Sequence, residues 1–149
     1  MKRAGFTMIE LIFVIVILGI LAAVAIPKLA ATRDDANIAK GASAVSTLIG
    51  DVGSYYTAKG KFGKWGEMTN VKLYTSATGN TEATTTVGTT KVYYQDSTPK
   101  GCVGFVVTST DGNLTVTSDD NSTATCKGIN EATKDLAGTH QFGGSGVTW

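Results

Sequence analysis

Few side chains in this sequence are placed to do chemistry. The one that most needs explaining is Glu10, a carboxylate at the mouth of a run, Leu11 to Ile26, that holds no polar side chain. Such a run must be surrounded by lipid or by protein. A carboxylate at membrane depth costs at least a few kcal/mol, so its position needs a physical reason. Two cysteines, Cys102 and Cys126, offer either one disulfide or two buried thiols. With a single distant histidine, His140, they do not make a zinc set, and no metal site is expected. Cys102 has no nearby histidine to activate it, and there is no Gly-x-Ser-x-Gly elbow or phosphate loop. These residues point away from an enzyme and imply no cofactor.

Size and charge narrow the partners. A chain of 149 residues holds one small domain beyond the apolar run. Lys plus Arg is 13 and Asp plus Glu is 12, a net charge of +1, so no overall basic footprint for nucleic acid exists. Eighteen glycines and a Thr-rich middle fit an exposed, turn-rich β domain.

The N-terminus reads Met1-Lys-Arg-Ala-Gly5, then Phe6-Thr7-Met8-Ile9-Glu10, then the apolar run with Gly19 and Pro27. It resembles the leader and first helix of type IV prepilins and of the pseudopilins of type II secretion: a short basic leader ending in Gly, then Phe, a small polar residue, two apolar residues, Glu, and a long apolar helix. The resemblance covers about the first 30 residues. It implies a leader over residues 1–5, cleavage by a prepilin peptidase between Gly5 and Phe6, and N-methylation of Phe6 by the same kind of enzyme. It also implies a transmembrane and filament-core segment over residues 6–27 and an exported head over 28–149. Loss of Lys2 and Arg3 with the leader leaves 11 basic against 12 acidic residues, a net charge of −1. A competing reading is an ordinary signal peptide cut near Ala23-Val24-Ala25, which would release a secreted β-rich domain. Glu10 and the helical period that continues past that point weigh against it. The mature N-terminus, Phe6 or Ile26, separates the two.

Cleavage after Gly5 would place a free amine on Phe6, one turn before Glu10. Both charges are poorly solvated there, and leaving either unpaired is costly. Glu10 could pair with the amine of its own chain or with that of a neighbouring subunit, and the second would set where each copy stops; the resemblance implies the second. The plainer alternative is that Glu10 only favours the helix N-terminus through the dipole, by about 0.3–1 kcal/mol.

The elements that carry these residues follow from periodicity. From Phe6 the apolar segment is about 21 residues, or roughly 30 Å of helix, long enough to cross a bilayer. Gly19 and Pro27 bracket a stretch where the helix is weakened and expected to break or loosen. Beyond it, Ile38, Ala42, Val45, Ile49, Val52 and Tyr56 recur at helical steps, which predicts an amphipathic second half over residues 28–59 ending at Lys59-Gly60. The strands expected next are Lys91-Val-Tyr-Tyr-Gln, Cys102-Val-Gly-Phe-Val-Val-Thr and Asn113-Leu-Thr-Val-Thr, with Ser109-Thr-Asp-Gly112 as a hairpin turn. Residues 75–90 are a polar, low-complexity stretch expected as a surface loop or weak edge strand. A further helix is expected at Asn130–Leu136, followed by a Gly-rich end. The expected class is α+β: one long N-terminal helix, apolar then amphipathic, packed on a small antiparallel sheet. A Cys102–Cys126 disulfide would close the C-terminal loop and, in an oxidising compartment, stabilise by roughly 3 kcal/mol.

Three surface features remain. Lys59, Lys61, Lys64 and Lys72 lie among Phe62, Trp65 and Tyr74, an interleaving that grips single-stranded nucleic acid, though aromatics packed on the core would look the same. Asn113 and Asn121 head Asn-x-Thr sequons with Asp two residues before each, and are candidate N-glycosylation acceptors. Asp111, Asp119 and Asp120 lack EF-hand spacing for calcium. The sequence thus predicts a subunit of a type IV pilus-like filament, single-pass in the inner membrane with its leader in the cytoplasm. It would then join a periplasmic or surface filament with copies of itself and other pilins, through an inner-membrane assembly platform. The alternative within the same architecture is a minor pseudopilin serving secretion or DNA uptake.

Overall fold

The alternation of Val, Tyr, Phe and Leu with Thr and Gly builds an antiparallel sheet of four strands, β1 (Val92–Gln95), β2 (Gly101–Thr108), β3 (Asn113–Ser118) and β4 (Gly138–Gln141), in the order β1-β2-β3-β4. The structure, a computed structural model, describes residues 5–83, 90–96, 98–108, 112–119 and 122–143. The chain divides into two compact units, Met1–Asp34 and Asp35–Trp149. One helix, α1 (Met8–Lys59), contributes to both.

In the first unit every residue from Gly5 to Asp34 is exposed. Among the described residues, α1 is the one helix long and apolar enough to cross a membrane. Gly19 and Pro27 both lie inside α1, which is helical through each of them.

In the second unit α1 is amphipathic, as expected, but its buried stripe is centred on Gly41, Val45, Leu48 and Val52. Ile49, expected on that stripe, is only half-buried at its flank, and Leu48 takes the central place. The cause is the element packed opposite. Helix α3 (Ala124–Ala132) presses Ile129 onto Gly41, where any Cβ would collide with the Ile129 side chain. Ile38 of α1 in turn fills the space over Gly128 of α3. The helix ends where expected: Lys59 is its last residue, and Gly60 takes the left-handed φ of +67° with its N–H bonded to the Tyr56 carbonyl at 2.7 Å.

The inner face of the sheet, with Val92, Val103, Phe105, Val107, Leu114 and Val116, is buried in one core with the α1 stripe. Fully burying a side chain such as Phe105 or Leu48 contributes about 1.5–3 kcal/mol each. The β2–β3 register pairs Phe105 with Val116 and Val107 with Leu114, which keeps all four on the same face. Cys102 at the start of β2 and Cys126 in α3 form the expected disulfide.

Two elements depart from the sequence reading. The helix expected at Asn130–Leu136 begins instead at Ala124 and ends at Ala132, with a 3-10 turn over Lys134–Leu136. Its start is set by Thr123, whose hydroxyl accepts the Cys126 N–H at 3.0 Å. The expected Gly-rich tail contains β4, which pairs along β3 from Val116–Gly138 to Asn113–Gln141. Phe142 then lies against Gly53, and Tyr56 covers Gly143.

Part of the polar stretch 75–90 is ordered against β1. Tyr74 exchanges backbone hydrogen bonds of 2.9 Å with Tyr93, and the Gln95 amide donates to the Ser76 and Gly79 carbonyls at 2.8 Å. The outer edge of β1 is thereby covered. Residues 84–89 lie outside the described residues.

Candidate assembly site at the N-terminus

The first turn of α1 has four backbone N–H groups without helical partners. Thr7 and Glu10 satisfy two of them reciprocally. The Thr7 hydroxyl accepts the Glu10 N–H at 3.4 Å, and Oε2 of Glu10 accepts the Thr7 N–H at 2.9 Å and its hydroxyl at 2.5 Å. The Thr7 carbonyl meanwhile accepts from the Leu11 N–H at 3.3 Å, so Thr7 is the N-cap and Glu10 the third helical residue. This is a capping box. It folds the carboxylate back towards the chain start, on the side of Gly5 and Phe6. Among the described residues, Oε1 of Glu10 accepts no hydrogen bond. Phe6 is 84% exposed and Gly5 is exposed as well.

Thr7 holds Glu10 in place, and its signal is present in the sequence although it bears no charge of its own. Thr7-Met8-Ile9-Glu10 before an apolar run is the Ser/Thr-x-x-Glu pattern that starts helices.

The remaining candidate residues lie apart from this site. Asn113 opens β3 opposite Thr108 and Gln141, half-buried, and its Oδ1 is buried with no hydrogen-bond partner among the described residues. Asn121, Asp111 and Asp120 fall outside the described residues. Asp119 is held by Lys91 and by the Thr117 hydroxyl at 3.1 Å, so its carboxylate already has a cation. His140 is half-buried, with Nε2 2.8 Å from the Leu136 carbonyl.

The loop of lysines and aromatics divides. Trp65 begins the short helix α2 (Trp65–Met68) and is 2% exposed, and Phe62 packs on Tyr56 with ring centroids 4.7 Å apart. Those rings belong to the head's own packing, which leaves few faces for bases to stack on. Lys72 is paired with Glu82 at 3.1 Å, and that contact raises its pKa above the ordinary lysine value.

Comparison with known proteins bears on the same end of the chain. Residues 1–26 match the prokaryotic N-terminal methylation motif, which is typical of type IV pilins and pseudopilins. No solved structure matches the chain. The motif, the apolar helix behind it and the disulfide-bonded head define a pilin-like protein. Pilin-like proteins are in general structural rather than enzymatic, and their family implies peptidase processing and filament assembly.

Proposed function

We propose that this chain is the structural subunit of a type IV pilus-like filament. Its prepilin form is anchored in the inner membrane by α1, head outward, and is cut between Gly5 and Phe6. Phe6 is then N-methylated, and the subunit enters the filament through its apolar helix segment, residues 6–27. Supporting this is an apolar helix exposed on all sides, with one carboxylate folded back to its tip. Such a helix is stable only in lipid or among other apolar helices. Oε2 of Glu10 is held by Thr7, and Oε1 is left to receive an ammonium from the mature N-terminus of another copy. Gly19 and Pro27, helical in the single chain, are the points at which the helix would loosen inside the filament. Asn113 and Asn121 stay candidate glycan acceptors, with Asn113 half-buried at the start of β3.

The reading is tested by expressing the chain in its host, sequencing the mature protein and imaging the cells by electron microscopy. A methylated Phe6 terminus and long filaments built of this chain support it. No filaments, with a secretion or DNA-uptake defect on deletion, would assign the chain to the pseudopilins instead. A terminus at Ile26 on a soluble protein would discard both.

A further inference from the structure

We draw no further inference here: the strongest candidate, the groove of about 320 Å³ between α1 and the end of β1 lined by Lys40, Ala44, Val71, Lys72, Tyr74 and Tyr94, carries nothing because Lys72 is already neutralised by Glu82 and nothing in the structure shows what covers it.

Discussion

Thr7 and Glu10 hold each other by three hydrogen bonds of 2.5, 2.9 and 3.4 Å across the first turn of α1. Glu10 therefore has two roles to separate. As the third residue of the helix it caps; as a carboxylate in an apolar setting it demands a positive charge. The two make different demands on chemistry, because a cap needs only an acceptor oxygen.

Thr7→Val keeps the shape of the side chain and removes its hydroxyl. It loses both side-chain hydrogen bonds to Glu10, a capping loss of about 1 kcal/mol, and frees the carboxylate to swing. The expected result is normal cleavage after Gly5 with reduced filament yield, restored by Thr7→Ser. Quantifying sheared filaments beside the mature N-terminal sequence checks it. Equal yields from all three proteins would leave Thr7 without a role in holding Glu10.

The head offers a second pair of relationships with opposite expected signs. Gly41 and Gly128 are notches for Ile129 and Ile38, and a methyl at either collides with the isoleucine. Gly128→Ala and Gly41→Ala should each destabilise the head on balance, because the usual overpacking cost of about 1–3 kcal/mol exceeds the helix-propensity gain of about 0.5–1 kcal/mol. Gly50, on the exposed side of α1, has open space where a Cβ would project, with nothing within 4 Å. Gly50→Ala should stabilise by about 0.5–1 kcal/mol through helix propensity. Thermal unfolding of the detergent-solubilised chain distinguishes them.

Tyr94 sets an alkaline limit on the head. Burial first, then the charges of Asp96 and Tyr74, hold its phenol above the ordinary 10.0. In the unfolded chain the phenol loses its proton at the ordinary value. Between the two pKa values the folded state binds more protons, so stability is complete below pH 10 and falls as pH rises towards the folded pKa. Tyr94→Phe should flatten that fall. Denaturant unfolding from about pH 8 to about pH 11 measures it, and identical slopes in both proteins would show that Tyr94 contributes nothing to the alkaline loss.

How much of this is legible in the sequence depends on whether an element advertises itself through apolar spacing. Strands β1 to β3 do, because Val92, Val103, Phe105, Val107, Leu114 and Val116 must all face the core. Strand β4, Gly138-Thr-His-Gln141, does not. It is an edge strand with an exposed face and is held by backbone pairing to β3, which no side-chain pattern records. The start of α3 is hidden by Thr123, which ends the Asn121 sequon but also caps the helix, and by Gly128, a poor helix former kept as the seat of Ile38. Periodicity gives the α1 stripe its period but not its centre, since it does not say which neighbour arrives. At the N-terminus the acid at Glu10 stands out at once, whereas its partner Thr7 is marked only by its spacing, three residues before Glu10, and the hydrogen bonds show what that spacing does.

The central claim is that Glu10 acts by its charge, and Glu10→Gln tests it most directly. Glutamine can still cap, because its amide oxygen accepts the Thr7 N–H as the carboxylate does, but it cannot neutralise an ammonium. The variant should insert in the membrane, lose its leader after Gly5 and form no filaments. Filaments at the normal yield, built from correctly processed Glu10→Gln subunits, would show that the residue only starts the helix.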